Sequence, residues 1–206
     1  PSYYAPFNVA YTYEVFASGE VELTTDIKIG KINENDTLPR LAKFGLQMVL
    51  AKGSDRLDWY GRGPHESYSD KKESALIALY GGSVKDQEEF YVRPQENGNK
   101  SDVRWAAVTD MFGKGIFADS DEALNISAHK YTDEMLTKAD HIHELGRIEE
   151  TVFNIDYKVS GLGSGSCGPE TLEKYGDKPQ DTCFTVRLCP FDKNEITPTA
   201  LHKTEL

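Results

Sequence analysis

The chain has 206 residues, of which 38% are hydrophobic and 28% charged, a composition typical of a globular protein with a genuine core. Its formal net charge of −11 argues against a protein that binds the phosphate backbone of nucleic acid or docks on an anionic membrane. At this length the chain is too short for a complete (β/α)₈ barrel with a further domain.

The hydrophobic pattern along the chain is almost entirely that of strands. Residues 11–16 lead through a Ser-Gly turn into residues 21–29, whose clean alternation predicts a hairpin with one solvated face. Further strands are predicted at residues 44–50, 57–60, 76–80, 103–109, 115–118, 124–128, 151–159 and 183–188. Short strands at roughly ten-residue spacing indicate an all-β antiparallel sandwich or barrel.

One segment breaks the strand pattern and predicts a short amphipathic helix over residues 132–145. Thr132 supplies an N-cap, and Gly146 is the natural stop. The apolar side chains of the helix form one stripe: Met135, Ala139, Ile142 and Leu145. We therefore expect this helix to lie on an edge or corner of the sheet.

The folded domain is predicted to cover residues 1–191, followed by a loosely held polar tail at residues 192–206. The three cysteines, Cys167, Cys183 and Cys189, are odd in number and include no CxxC pair, which indicates neither a disulfide framework nor a zinc site. We expect reduced thiols and a cytoplasmic protein. Apolar runs are only a few residues long, so no membrane span is predicted.

His141 and His143 raise the question of a metal site. At positions i and i+2 of a helix they would point about 200° apart and could not hold one ion. On a strand they would share a face, but a third ligand would still be lacking. The sequence therefore predicts no metal site and favours surface histidines at a helix C-terminus.

A Gly/Ser-rich segment, residues 161–169, follows a strong strand and invites comparison with phosphate loops. Ser166 occupies the third glycine position of the dinucleotide fingerprint, and the G-x-S-x-G pattern of a nucleophile elbow fits nowhere. No basic partner can be placed beside Cys167, which argues against a catalytic thiol. What remains is a loop that brings backbone and small side chains to a surface.

Two segments have sequences that are too specific for ordinary turns. They are residues 59–70, WYGRGPHESYSD, and residues 93–105, RPQENGNKSDVRW. Glu66 and Glu96 would be costly to bury unpaired, so we expect them to pair with Arg62 and Arg104 close by in sequence. This predicts interlocked Glu–Arg bridges that pin long loops, which is a structural role.

These segments resemble the last domain of glycoside hydrolase family 2 β-galactosidases, which some bacteria make as a separate small subunit. The pattern W-x-G-x-GP-x-E-x-Y-x-D is matched by residues 59–70, and PQENGN-x-x-DVRW by residues 94–105. The H-x-H pair and the NIDY strand that leads to G-L-G are similar too. The likeness runs from about residue 7 to residue 175.

The resemblance implies an antiparallel β-supersandwich related to galactose mutarotase-like domains, of which this chain is the C-terminal portion. The enzyme would hydrolyse terminal β-D-galactosyl linkages of the lactose type. In the family, the catalytic glutamates and the Mg²⁺ site lie on a separate (β/α)₈ barrel. The resemblance therefore implies no catalytic residue, metal or cofactor in this chain, and it implies two partners: that barrel, or a large subunit carrying it, and the galactoside.

In the family, the loop after the NIDY strand closes one side of the pocket, and some members place a Trp there to stack on the sugar. Ser166 and Cys167 lie at the matching positions, so the resemblance implies that they line the pocket rim and bind substrate. The chain would shape this rim and support assembly, but would be inactive alone. An unpaired sheet edge near its N-terminus would invite pairing between copies in a homo-oligomer.

Two other functions stay open. Four aromatic residues could stack on sugar rings in a free-standing carbohydrate-binding module, although aromatic residues near strand ends are mostly core: Trp59, Tyr60, Tyr68 and Trp105. An aldose epimerase would need a positioned His/Glu acid–base pair. The only hint of one is His65 and Glu66, which are too close in sequence to reach across a ring.

Overall fold

The computed structural model describes residues 7–30, 40–163 and 168–204. Within these ranges every strand pairing is antiparallel, which confirms the predicted all-β class. None of the described helices is long or apolar enough to cross a membrane. The elements are β1 (Phe7–Val15), β2 (Val21–Ile29), β3 (Lys43–Leu50), β4 (Arg56–Gly63), β5 (Leu76–Ser83), β6 (Lys100–Thr109), β7 (Lys114–His129), α1 (Asp133–Lys138), β8 (Thr151–Val159), β9 (Thr182–Asp192) and α2 (Pro198–His202).

The strands form one branched sheet around the long strand β7. Its main path runs in the order β1-β2-β9-β7-β6-β4-β5, while β8 pairs with β7 and carries β3. Residues 114–119 of β7 pair with β9, and residues 125–129 pair with β8. The two strands predicted at 115–118 and 124–128 are therefore one strand. The acidic stretch between them stays in the sheet because Arg187 of β9 binds Asp119.

The main core lies where the two branches face each other. Tyr157 of β8 stacks on Phe184 of β9 with ring centroids 5.0 Å apart, and Phe44 of β3 meets Phe184 edge-on at 6.4 Å. The cluster includes fully buried side chains from β4, β6, β7, β8 and β9: Leu57, Trp59, Val103, Val108, Ile126, Phe153, Ile155 and Val186. Burial of these apolar side chains stabilises the two branches against each other.

The predicted helix at 132–145 is too long. Thr132 does cap it, because its hydroxyl accepts a hydrogen bond from the Met135 amide at 3.3 Å. Helix α1 ends at Lys138, however, and Ala139 leaves with extended backbone. A separate 3₁₀ turn follows at Ile142–Glu144, because the Glu144 carboxylate accepts amide hydrogen bonds at the start of this turn.

The tail expected to be loosely held contains helix α2 within the part that the structure describes. Arg187 donates to the carbonyl oxygens of Leu201 and Thr204, at 3.1 and 3.0 Å, while it also binds the Asp119 carboxylate at 2.7 and 2.8 Å. Ile196 and Leu201 pack on a second apolar cluster on the outer face of the sheet. The buried ion pair of Arg187 and Asp119 therefore helps to hold residues 192–204 against β9. The polar composition of this segment does not indicate such an attachment.

Strand β1 lies at an edge, where it pairs only with β2 among the described strands. Its alternating apolar side chains share one face, yet all are exposed, from 38% for Phe7 to 73% for Val15. The expected buried face of this strand is therefore open. A long, apolar, unpaired edge is the kind of surface on which strands of separate chains pair.

We predict that the chain self-associates through β1 and that Tyr11→Lys weakens this association, because a charge on the edge opposes apolar strand pairing. Light scattering across a concentration series measures the effect. Phe112→Lys is the control, since Phe112 is 67% exposed but lies in the turn between β6 and β7. A wild-type chain that stays monomeric at high concentration contradicts the prediction.

Candidate functional site

The two sequence motifs lie against each other in space. The first covers the end of β4 and the loop after it, and the second leads into β6. Ser67 and Asn99 are joined by reciprocal hydrogen bonds: the Ser67 amide donates to the Asn99 carbonyl at 2.8 Å, and the Asn99 side-chain amide donates to the Ser67 carbonyl at 2.7 Å. The Ser101 hydroxyl also donates to the Ser67 carbonyl at 2.8 Å. The two loops therefore form one unit.

Glu66 is the buried centre of this unit. Its carboxylate accepts hydrogen bonds from the Lys71 ammonium, the Tyr91 hydroxyl and, at 2.9 Å, the Gly98 amide. Burial raises the pKa of Glu66, but these hydrogen bonds outweigh it and hold the pKa below its usual range. Gly98 has φ +74°, and a Cβ there would lie 2.6 Å from the Gln87 carbonyl oxygen, so this position needs glycine.

Glu96 is held by a different cation from the one expected. The Lys43 ammonium from β3 lies 3.1 Å from Glu96 and 3.0 Å from Asp133 of α1, and the Tyr68 hydroxyl donates to Glu96 at 3.3 Å. Burial raises the pKa of Glu96, against the opposing effect of Lys43. This pairing connects the second motif to β3 and to α1.

The prediction that Glu66 and Glu96 pair with Arg62 and Arg104 is wrong. Arg62 binds the Asp102 carboxylate at 2.5 Å, and Arg104 donates to the Asp102 carbonyl and lies over the Tyr60 ring. Asp102 is also bound by Lys72 at 3.0 Å. The arginines thus stabilise the start of β6, while lysines pair with the two glutamates and tyrosine hydroxyls donate hydrogen bonds to them.

A cleft of about 540 Å³ opens beside Lys43. Its walls are the beginning of the second motif, one side of α1 and the end of β8, contributed by Arg93, Pro94, Gln95, Glu96, Asp133, Leu136, Thr137, Val159, Ser160, Gly161 and Leu162. Glu96 and Asp133 both face Lys43 in this cleft. A glycosidase pair needs two carboxyl groups free to face the sugar from opposite sides. Here one ammonium group lies within hydrogen-bond distance of both carboxylates.

The base of the Gly/Ser loop is fixed at the edge of this cleft. The Asp70 carboxylate, at the end of the first motif, accepts the amides of Leu162 at 3.2 Å and Gly163 at 2.7 Å. The Gly161 amide donates to the Tyr175 carbonyl at 2.7 Å. The predicted substrate-binding residues Ser166 and Cys167 follow directly, within residues 164–167, which lie outside the described residues.

Asp156 is a buried acid that the sequence analysis did not single out. It lies on β8 beside a second cavity of about 500 Å³ between β1, β2 and β3. Burial raises the pKa of Asp156 to about 7; the Lys43 ammonium opposes this, and Glu96 and Asp133 add to it. A signal was present in the sequence, since Asn154 and Asp156 place polar side chains two residues apart among the apolar residues of β8.

Most of the residues considered for sugar stacking and epimerase chemistry are buried or already hydrogen-bonded. Trp59, Tyr68 and Trp105 are at most 3% exposed, so none offers a ring face to a ligand. Tyr60 is 36% exposed, and the Arg104 guanidinium lies over its ring. His65 is exposed and shares a hydrogen bond with the Ser74 hydroxyl at 3.0 Å, whereas Glu66 is buried under the loops. The structure therefore does not assemble an acid–base pair from these two residues.

The family described as "Beta galactosidase small chain" matches residues 2–188. The β-galactosidase of Priestia megaterium is 36% identical over 74% of this chain and 14% of the relative. That of Actinobacillus pleuropneumoniae is 33% identical over 88% and 17%, and that of Kluyveromyces lactis 34% identical over 90% and 18%. The chain therefore spans less than a fifth of the length of these relatives.

We predict that Asp156 lowers the free energy of unfolding of the wild type as the pH rises from about 4 to above 7. Asp156→Asn should therefore show a smaller fall over this range. The folded pKa, about 7, lies above the unfolded value of about 3.9. In this range the Asp156 carboxyl is protonated in the folded state but not in the unfolded state. The stabilisation that this proton gives the folded state disappears once the buried carboxyl ionises. Denaturant unfolding at pH 5 and pH 8 measures the difference, with Asp110→Asn in the β6–β7 turn as the control. Equal pH dependence in wild type and Asp156→Asn contradicts the prediction.

Proposed function

The chain belongs to the β-galactosidase small-chain family, and from this we propose that it is the C-terminal β-sandwich portion of an enzyme that hydrolyses terminal β-D-galactosyl linkages. Its own task is to form part of the rim of the galactoside pocket and to support assembly. The chemistry belongs to a catalytic (β/α)₈ barrel, on the same polypeptide or on a large subunit. The catalytic glutamates and Mg²⁺ are assigned to that barrel.

The observation that carries this proposal is the fixed base of the Gly/Ser loop. Asp70, the last residue of the first motif, holds the amides of Leu162 and Gly163. The second motif supplies the opposite wall of the cleft through Arg93–Glu96. Both long motifs thus border the base of this loop, which supports the proposal that Ser166 and Cys167 bind the galactoside.

The charge arrangement in the cleft supports a non-catalytic role. Glu96 and Asp133 both contact the Lys43 ammonium, so the two carboxylates converge on one cation and do not face a sugar from opposite sides as a glycosidase pair does. A rim segment needs only shape and hydrogen-bonding groups, which backbone and small side chains provide. Cys183 and Cys189 are free thiols, which suits the reducing conditions of the cytoplasm, where we place the enzyme.

We expect the purified chain to give no turnover of a chromogenic β-galactoside. A chimera tests its contribution: the chain replaces the matching segment of the Actinobacillus pleuropneumoniae β-galactosidase, and a variant that lacks the segment is the control. The chimera should hydrolyse the galactoside and the deletion variant should not. Turnover by the chain alone, or a folded chimera no more active than the deletion variant, contradicts the proposal.

In that chimera, we predict that Asp70→Ala raises KM for the galactoside roughly tenfold with a smaller effect on kcat, because the loop base loses two backbone hydrogen bonds and the rim is less well positioned. Steady-state kinetics measures both parameters. Asp110→Ala is a matched control, since its carboxylate accepts the amides of Phe112 and Lys114 in a turn distant in sequence from the loop. Equal KM changes in the two variants contradict a role for Asp70 in substrate binding.

A further inference from the structure

Two histidines and a glutamate meet on the surface just after α1. The helix that would have separated His141 from His143 ends at Lys138, and His141 has extended backbone with φ −136° and ψ 153°. The two imidazole rings therefore lie on the same side of the chain. They stack with centroids 5.4 Å apart and an interplanar angle of 23°.

Glu144 supplies the third donor that the sequence analysis found lacking. Its Oε1 atom lies 3.2 Å from His141 Nδ1 and 3.9 Å from His143 Nε2. One donor atom from each of the three residues lies within 4.8 Å of the others. A tetrahedral zinc ion with bonds of about 2.0–2.2 Å places its donors roughly 3.3 Å apart. The widest separation must therefore close by at most about 1.5 Å, which exposed side chains achieve by small rotations.

The carboxylate is already oriented for this role. Its Oε2 atom accepts the backbone amides of Asp140 at 2.9 Å and His141 at 3.3 Å, which leaves Oε1 directed toward the imidazoles. Outer hydrogen bonds of this kind fix ligand orientation in metal sites.

We propose that His141, His143 and Glu144 form a surface site for a zinc ion, with water completing the coordination. Two imidazoles and one carboxylate suit zinc, whereas Mg²⁺ and Ca²⁺ prefer oxygen ligands. The site lies at the edge of the cleft region, because Asp140 pairs with Arg93, a cleft-lining residue, at 3.2 Å. It is independent of the catalytic function proposed for the whole enzyme.

Isothermal titration of the chain with zinc sulfate tests the site directly, and titration with Co²⁺ followed by visible absorption reports the coordination geometry. We expect one ion per chain and the intense absorption of four-coordinate cobalt. His143→Ala and Glu144→Gln should each weaken zinc binding at least tenfold.

The control is His65→Ala, which removes an exposed histidine that hydrogen-bonds only Ser74 and should leave zinc affinity unchanged. Thermal unfolding without metal should be the same for wild type and His143→Ala, since His143 is 76% exposed, so that lost binding reports lost ligands. Absence of saturable zinc binding at submillimolar concentration overturns the proposal. Equal affinity in wild type and His143→Ala overturns it too, because binding then resides elsewhere, for example at the Cys183 thiol.

Discussion

Burial of carboxylates beneath long loops is the constraint on which this structure depends. An ionised carboxylate can leave water only if donors from the protein replace its hydration. Glu66 meets this requirement with a lysine, a tyrosine and a backbone amide from three separate stretches of chain. Those stretches cannot move apart without leaving the charge unpaired. The position of Asp70, and with it the base of the Gly/Ser loop, follows from this arrangement.

The strands were the most predictable part of the fold. Alternation defines the bounds of β2, and apolar density with flanking turns defines β8, because both signals are local. The helix after Thr132 was predicted too long because its apolar stripe continues past Lys138. The stripe residues Ala139 and Leu145 are indeed buried with Leu136, but they lie in irregular backbone on either side of the 3₁₀ turn. Ile142, also on the stripe, is 38% exposed, so the helical period identified only some of the buried side chains.

The candidate site could be predicted only in outline. The family motifs identified the loop, and the need to pair Glu66 and Glu96 followed from elementary electrostatics. Their partners did not, because sequence proximity favoured arginines, whereas the fold brings Lys43 to Glu96 from more than fifty residues away. The same limit applies to Asp119 and Arg187, whose pairing fastens the C-terminal segment. Long-range ion pairs depend on topology, which local pattern does not contain.

Strand β7 has a mechanical consequence for the domain. One half of it hydrogen-bonds to β9 and the other half to β8, so a single backbone belongs to both branches of the sheet. Both branches therefore depend on the same continuous strand, although on different residues of it. The domain should therefore melt as one cooperative unit. The loop base at the end of β8 is accordingly carried by a strand that is hydrogen-bonded on both sides, to β3 and to β7.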